Sequence, residues 1–438
     1  MIYLLNFSFQ GIKNIEQPLY LSFYKKTIQN DFLPENYKIQ AIYGENGSGK
    51  TAIVTAVKIL RELIINRNYL LNFDKQNELI ELVNKKTKSG FLEAEFYVGF
   101  GEDANLLHYK LKFKVNDDNR FSISSETFEM KSGSNSRNHY KTIYETKNGD
   151  LLKYGNNLSD YTLVREKTLN LLNQQTLVPL IFETDINLID GNSIFAMTLL
   201  YYCGSSIFAC IDNEDSHIQY VVNQQFEKLQ KKGITDNFYR FKDLRSAELF
   251  GNSHGNIVSK KNFGAFKKQV DRLFRFVQIF KPDLINIDID KKIDGENYIC
   301  NLVMVYPDYL LDSEFESRGI RKIMQLFKYL ENAVNGAIVF IDELDSNIND
   351  IYLEKLIEYF MNYGKGQLCF TAHNLSPMNI LKDRKKSICF ISSTNTVHLW
   401  TSDGNLSPEN AYRNGFIDDS PFNVEASDFL GIIGGVDE

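Results

Sequence analysis

The sequence contains no apolar run that approaches the roughly 20 residues needed to cross a bilayer. Its first ten residues lack the charged start and the long apolar segment of a signal peptide. We therefore expect a cytoplasmic chain that makes no membrane contact. Internal repeats, low-complexity tracts and a sustained heptad pattern are also missing, and the last of these absences argues against a long coiled-coil arm.

The chain has few cysteines and no excess of positive charge. The five cysteines show no C-x-x-C spacing and lie mostly among apolar neighbours, which predicts reduced core thiols rather than disulfides or a zinc site. A formal net charge of −7 excludes a wholly basic, DNA-coating protein but leaves room for a local basic groove. With 438 residues, of which 43% are hydrophobic, the chain can form one large composite core or two to three domains.

What the sequence does contain is a phosphate-binding pattern. Residues 44–51 fit G-x-x-x-x-G-K-[ST], and they lie between a buried strand predicted for Ile39–Tyr43 and a helix predicted for Ala52–Ile65. The order of strand, loop and helix brings the positive end of the helix dipole to a bound phosphate. The pattern therefore predicts a nucleoside triphosphate site, with Lys50 at the outer phosphates and the Thr51 hydroxyl on Mg²⁺. The remaining predicted phosphate ligands are the backbone groups of Gly44, Asn46, Gly47, Ser48 and Gly49.

Two further strands are predicted to end in polar residues. Ala337–Ile341 is followed by Asp342 and Glu343, and a parallel sheet presents catalytic groups at such carboxyl ends. We expect Asp342 to hold the Mg²⁺ of the nucleotide and Glu343 to act as general base on the attacking water. The next apolar strand ends in His373, a candidate to bond the γ-phosphate and sense its loss.

A Ser-x-Gly sequence lies at the predicted start of an amphipathic helix just before the Asp-Glu strand. Ser317 is placed to cap this helix, and the apolar residues from Ile320 onward recur at helical spacing. Ser317 and Gly319 thus offer a hydroxyl and backbone N–H groups to an anion. The γ-phosphate bound by a second subunit would suit that geometry.

The rest of the chain is organised around these motifs in three predicted parts: a lobe with the phosphate loop and an antiparallel β arm at 1–150, a mainly helical insertion at 151–300, and a second lobe at 301–438. Alternating apolar and polar residues predict an antiparallel flap and then an antiparallel sheet with one exposed face. The predicted strands are Ile2–Phe9, Leu19–Phe23, Phe91–Phe100, Leu107–Val115 and Phe121–Met130. Helices are predicted for His217–Lys231 and Lys261–Phe280, with a flexible connection at Leu249–Asn256.

The four motifs in this order resemble the ATP-binding-cassette class of ATPases, and Asp342-Glu-Leu-Asp345 is closest to its chromosome-maintenance (SMC) and OLD-type branch. The resemblance implies an α/β, P-loop NTPase fold with an antiparallel β subdomain and a helical insertion. It implies ATP and Mg²⁺ as ligands and hydrolysis to ADP and phosphate, whereas Arg318, at a place where the class more often has a small or acidic residue, predicts a slow or trigger-dependent rate. In that class two chains enclose two ATP molecules, so Ser317 and Gly319 would act in trans within a homodimer or higher oligomer.

A narrower resemblance is to the ATPase subunits of bacterial anti-phage systems of the AbiL, PARIS and Septu types. It rests on the chain length, the modest insertion and the late segment Tyr412–Ile417 with Ser420–Asn423. It implies a sensor and scaffold subunit of an abortive-infection complex, which controls a separate nuclease effector after a phage component is detected. The alternative is a DNA repair or recombination ATPase that clamps DNA. A basic groove for DNA would then be lined by Lys267, Lys268, Arg272 and Arg275, which are otherwise the solvated face of a helix.

The sequence departs from the class at two places. Ser346–Asp350 stands where relatives often carry a Leu-His-Pro-like stretch, and Arg318 stands where a small or acidic residue is more usual. The glutamine that usually ligates Mg²⁺ has only two candidates by rough position, Gln174 and Gln175. A transporter subunit is disfavoured by the strand-rich arm between the two nucleotide motifs, and a GTPase by Asn84–Thr87, which lacks the guanine-reading aspartate.

Overall fold

The computed structural model describes residues 1–25, 33–100, 103–133, 138–184, 188–211, 255–401, 406–417 and 420. Its strands are β1 Ile2–Gln10, β2 Leu19–Ser22, β3 Ile39–Gly44, β4 Ser89–Phe100, β5 Asp103–Val115, β6 Phe121–Ser132, β7 Lys141–Lys147, β8 Asp150–Tyr154, β9 Ile207–Cys210, β10 Asn256–Ser259, β11 Asn286–Asp294, β12 Asn297–Val305, β13 Leu310–Asp312, β14 Ile338–Ile341, β15 Gln367–Thr371, β16 Ile388–Ile391 and β17 Val397–Leu399. Its helices are α1 Lys50–Ile65, α2 Phe73–Leu82, α3 Leu158–Thr168, α4 Leu177–Glu183, α5 Gly191–Ser205, α6 Phe263–Phe280, α7 Arg318–Val334, α8 Asp350–Tyr363, α9 Ser376–Leu381 and α10 Pro408–Arg413.

A six-stranded sheet organises the functional residues. Its order is β17-β16-β3-β15-β14-β9, and only β17 runs antiparallel to its neighbour. Ile391 of β16 lies opposite Gly44 of β3, and Ile341 of β14 lies opposite Phe370 of β15. Since the strands are parallel and in near register, the segments that follow β3, β14, β15 and β16 all leave from one edge of the sheet.

This sheet is buried on both faces, which explains its continuous apolar strands. Successive side chains of β3 enter two different cores because side chains alternate across a strand. Ile42 joins the core that contains α1, whereas Ala41 and Tyr43 join the core that contains α7. Every residue of β3, β14, β15 and β16 is buried.

A second, antiparallel sheet has seven strands in the order β2-β1-β4-β5-β6-β7-β8. Along β5, Leu107, Tyr109 and Leu111 are buried, whereas His108 and Lys110 lie on the opposite, partly exposed face. The predicted antiparallel sheet with one exposed face is therefore confirmed. The predicted flap belongs to the same sheet, since β1 pairs with both β2 and β4.

A third sheet, formed by β10, β11, β12 and β13, packs against α6. β12 pairs with β10, β11 and β13, and α6 packs on this sheet with Phe266, Val270 and Leu273 buried. The predicted helix over Lys261–Phe280 is confirmed as α6. The hairpin of β11 and β12 was not predicted, although residues 286–305 carry an alternating pattern.

Several predictions remain open. The helix predicted for His217–Lys231 lies outside the described residues, as does most of the connection at Leu249–Asn256 and part of the segment at Ser420–Asn423. The division at residues 150 and 300 stays a prediction; the described part of 151–300 contains strands as well as helices. All five cysteines lie in the buried core. Within the residues that the structure describes, no helix is both long enough and apolar enough to cross a membrane.

Candidate active site

The loop between β3 and α1 has a backbone that requires glycine. Gly47 and Gly49 adopt φ values of 82° and 108°, a region that other residues rarely enter. Gly44 has an ordinary φ but no room for a side chain, because a Cβ there would lie 2.6 Å from the carbonyl oxygen of Ile391. Gly49 caps α1 and has no side chain, and among the described residues no side chain accepts a hydrogen bond from the first-turn amides of that helix. Those amides remain available to an anion.

Two asparagines from distant segments hold this loop from outside. The side-chain amide of Asn14, in the turn after β1, donates to the carbonyl oxygen of Gly47 at 2.5 Å. The amide of Asn395, in the turn after β16, donates to the carbonyl oxygen of Ser48 at 3.0 Å. Both bonds occupy loop carbonyls and no loop N–H group, although the Ser48 N–H itself donates to the carbonyl oxygen of Glu45 at 3.2 Å. Neither asparagine was predicted, because they lie far from the loop in sequence.

Lys50 lies at the start of α1 and is buried. Its Nζ donates to the carbonyl oxygens of Gly44 at 2.7 Å and Glu45 at 3.0 Å. Burial lowers the pKa of Lys50, and the nearby carboxylates of Asp342 and Glu343 oppose that shift. The phosphate-loop lysine and the acidic pair therefore lie within electrostatic reach of one another, although they are far apart in sequence.

The acidic pair leaves the carboxyl end of β14. Asp342 is buried and Glu343 is exposed. Thr371, at the end of β15, donates its hydroxyl to Asp342 Oδ1 at 2.7 Å and accepts the backbone N–H of Glu343 at 2.8 Å. Glu343 has a φ of 49°, an unfavourable backbone conformation for a residue with a side chain. Non-glycine residues held in this way concentrate at functional sites.

His373 follows β15 and is exposed at the same edge of the sheet. The carboxylate of Asp345 accepts the backbone N–H groups of His373 at 2.8 Å and of Asn374 at 2.6 Å through one oxygen, Oδ2. Its other oxygen, Oδ1, is buried and has no hydrogen-bond partner within the described residues. Asp345 thus ties the segment after the acidic pair to the histidine, a role that the sequence did not suggest.

The Ser-x-Gly element is at the N-terminus of α7, as predicted. Ser317 caps the helix, and its Oγ accepts the backbone N–H of Ile320 at 3.3 Å. A Cβ on Gly319 would stand 3.1 Å from the carbonyl oxygen of Asn347, so the helix start lies against the loop that follows the acidic pair. Ser317 and Arg318 are exposed. Among the described residues, no hydrogen bond joins Ser317 to residues 44–51 of its own chain.

The two glutamine candidates do not lie near Thr51. Gln175 accepts from Arg67 Nε at 2.9 Å, and the adjacent Thr176 hydroxyl donates to the carbonyl oxygen of Leu63, near the far end of α1. Leu63 is about 18 Å along the helix axis from Thr51 at 1.5 Å per residue. Gln174 and Gln175 are therefore too distant to ligate a cation held at Thr51, and this suggestion was wrong.

The side chains at this edge suit a nucleotide and a divalent cation. The Ser48 hydroxyl is buried and has no hydrogen-bond partner in the part of the chain that the structure describes. Lys50 supplies a positive charge, and the loop supplies backbone N–H groups for phosphate oxygens. A hydroxyl at Thr51 and a carboxylate at Asp342 are the hard oxygen ligands that Mg²⁺ prefers. ATP and Mg²⁺ both fit this set of groups.

Comparisons with known proteins do not establish the function of this chain. No protein-family model matches the chain. No curated protein matches it. Among solved structures, the chain is similar to the Smc head domain with a coiled coil and joint derived from Pyrococcus yayanosii, with 10% identity over 92% of this chain and 98% of that chain and a TM-score of 0.43. Identity this low and a TM-score below 0.5 establish neither a family nor an activity.

Proposed function

We propose that this chain is an ATPase that hydrolyses ATP to ADP and phosphate at the edge formed by β3, β14 and β15. The observation that carries the proposal is that the parallel strands β3, β15 and β14 lie side by side, so the loop before Lys50 and the pair Asp342 and Glu343 leave from the same edge of the sheet. An anion site, an oxygen-ligand set and a carboxylate base thus occur together. Hydrolysis of a phosphoanhydride needs all three, because positioning and charge neutralisation supply most of the rate.

Each residue has a chemical role in this proposal. The loop amides and Lys50 bind the phosphates, and Mg²⁺ held by Thr51 and Asp342 would neutralise their charge. Glu343 accepts a proton from the water that attacks the γ-phosphorus, and ADP leaves on the opposite side. The Glu343 carboxylate is exposed and has no hydrogen-bond or ion-pair partner among the described residues, so it is available to a water molecule. His373 is the candidate sensor of the γ-phosphate.

The first test is ATP turnover by the purified chain, with Lys50→Ala as the blank. The proposal requires phosphate release by the wild type and none by the blank, together with nucleotide binding that the blank has lost. Wild-type protein that fails to bind ATP in the presence of Mg²⁺ would overturn it. A malachite-green assay and titration with a fluorescent ATP analogue measure the two quantities.

The proposal extends to a second copy of the chain. Ser317 is exposed at a helix N-terminus and makes no hydrogen bond to its own phosphate loop within the described residues. We place it, with Gly319, against the γ-phosphate bound by the other copy, so the active unit is a homodimer or larger. Ser317→Arg should reduce turnover about 10²- to 10³-fold. Collapse of the single chain's nucleotide affinity in that variant would contradict the assignment in trans.

We further propose that the ATPase is the sensor and scaffold subunit of an anti-phage defence complex of the abortive-infection type, which controls a separate nuclease. This step rests on the motif resemblance alone. Cells that carry the chain with its neighbouring genes should resist phage, and Lys50→Ala should remove that resistance while leaving protein levels unchanged. Equal plaque counts with and without the wild-type genes, over a broad phage panel, would contradict the defence role.

A second candidate, a DNA-clamping repair ATPase, is favoured by the exposed face of α6. Lys267, Lys268 and Arg275 are exposed and form no ion pair among the described residues, whereas Arg272 pairs with Glu331 at 2.8 Å. Unpaired cations along a helix suit a phosphate backbone. Strong stimulation of turnover by double-stranded DNA, lost in a Lys267→Gln, Lys268→Gln, Arg275→Gln variant, would select this candidate. Turnover indifferent to DNA would select the protein-triggered sensor.

A further inference from the structure

Thr371 is a polar exception in a strand that is otherwise apolar over its last residues. Leu368, Cys369 and Phe370 precede it, and its own side chain is fully buried. A buried hydroxyl is costly unless both its proton and a lone pair are used. Here both are used, and both partners belong to the acidic pair of the proposed site.

The direction of the two hydrogen bonds is fixed by chemistry. The backbone N–H of Glu343 can only donate, so the Thr371 oxygen accepts there at 2.8 Å. The single hydroxyl proton must then go to Asp342 Oδ1, at 2.7 Å. Asp342 therefore receives a donor on Oδ1, which leaves Oδ2 for another partner. The same threonine holds the Glu343 backbone at its unfavourable φ of 49°.

We propose that Thr371 is a positioning residue for both members of the acidic pair. It orients the Asp342 carboxylate toward the divalent cation and fixes the backbone from which Glu343 reaches the attacking water. This inference rests on the proposed ATPase function and assigns a role within that site. Some groups hydrogen-bond a metal ligand without touching the metal. Removing such a group typically lowers metal affinity or activity 10- to 100-fold.

The test compares three variants of the full chain. Thr371→Val keeps the shape and removes both hydrogen bonds, and Thr371→Ser keeps the hydroxyl. Thr168→Val is the matched control, because Thr168 is equally buried but donates to the carbonyl oxygen of Val164 within α3, away from the site. The primary readout is the affinity for a fluorescent ATP analogue in EDTA and in Mg²⁺. The ratio of the two isolates the contribution of the cation.

Thr371→Val should leave the affinity in EDTA within about threefold and reduce the gain from Mg²⁺ about 10-fold or more, with kcat 10- to 100-fold lower. Thr371→Ser should restore both values to near wild type. The control should lose thermal stability without changing either value. A merely structural Thr371 would behave like the control, and an unchanged Mg²⁺ gain in a folded Thr371→Val protein would overturn the proposal.

Two outcomes separate this inference from the proposed function. Wild-type protein that binds no nucleotide refutes the function itself, whereas normal wild-type turnover with an unaffected Thr371→Val variant refutes only the role of Thr371. If the valine variant does not fold, Thr371→Cys replaces it, because a thiol is a weaker donor than a hydroxyl. The cysteine variant should then show a smaller loss of the Mg²⁺ gain, and no loss would count against the proposal.

Discussion

The carboxyl edge of the parallel sheet and the exposed face of the antiparallel sheet both carry charged side chains, but they treat charge differently. On the antiparallel face, His108 bonds Glu93 at 2.7 Å and Glu129 at 3.0 Å, and Lys110 bonds Glu93 at 2.9 Å. At the parallel edge, Lys50 bonds two carbonyl oxygens instead of a carboxylate. On the antiparallel face, charged side chains pair with one another. The parallel edge leaves the charge of Lys50 available to a bound ligand.

That difference separates structural from functional charge in one molecule. Paired charges on a sheet stabilise the fold modestly and need no ligand. A buried lysine without a carboxylate partner costs folding free energy, which a fold tolerates where binding or catalysis requires it. Changes at the parallel edge should therefore alter function with little loss of stability. Changes on the antiparallel face should lower stability and leave function unaltered.

The largest expected effect is at Lys50. Lys50→Met keeps most of the side-chain volume and removes the charge, so ATP affinity should fall about 100-fold or more. Because burial without a carboxylate partner disfavours the charged form, the melting temperature without nucleotide should stay the same or rise. Differential scanning fluorimetry with and without ATP measures both. A large drop in the melting temperature of the nucleotide-free variant would contradict the difference drawn between the parallel edge and the antiparallel face.

The next effect is at Glu343. Glu343→Gln should retain nucleotide binding and lower kcat about 10²- to 10⁴-fold, as expected for loss of a general base. It should also favour an ATP-bound assembly of two or more chains, visible by light scattering. The Glu354→Gln change on α8, at a glutamate that has no role in the proposed site, is the control and should keep wild-type turnover. Equal loss of binding in Lys50→Met and Glu343→Gln would remove the role given to Glu343.

The parts of this site that sequence predicts are those with a local pattern. The phosphate loop has a fixed spacing of glycines and lysine, and Asp342 and Glu343 follow an unbroken apolar strand. Both patterns arise within one loop or one strand, so they are visible without a structure. The strand, the loop and the helix that begins at Lys50 agree with the predicted order.

The residues that sequence missed act across the fold. Thr371 is one threonine in an apolar strand, and its partners lie about one βαβ unit away in the chain. Asn14 and Asn395 reach the loop from turns near opposite ends of the sequence. The contacts of Thr371 and Asn395 depend on the strand order β16-β3-β15-β14, and that of Asn14 depends on how the turn after β1 packs against the loop. A single sequence determines neither. The error at Gln174 and Gln175 has the same origin, since rough position says nothing about which end of α1 a residue meets.

The smallest expected effect, and the sharpest test of the antiparallel face, is at His108. Its hydrogen bond to Glu93 raises the pKa of His108 above its ordinary value of 6.5, and the same bond lowers the pKa of Glu93 to about 2. A raised histidine pKa stabilises the fold below pH 6.5, and that contribution is lost as pH rises through the folded pKa. A lowered carboxyl pKa stabilises the fold above about pH 4.5, and that contribution is lost as pH falls toward 2.

Both contributions are therefore fully present between about pH 4.5 and 6.5. His108→Gln should lower the free energy of unfolding by about 0.5 to 1 kcal/mol in that window and by less at pH 9, with ATP turnover unchanged. Urea unfolding at pH 5.5 and pH 9 measures the difference, and His398→Gln, at an exposed position of β17, is the control. An equal loss of unfolding free energy at both pH values would show that side-chain packing, and not charge pairing, stabilises this face of the sheet. The contrast with the parallel edge would then rest on Lys50 alone.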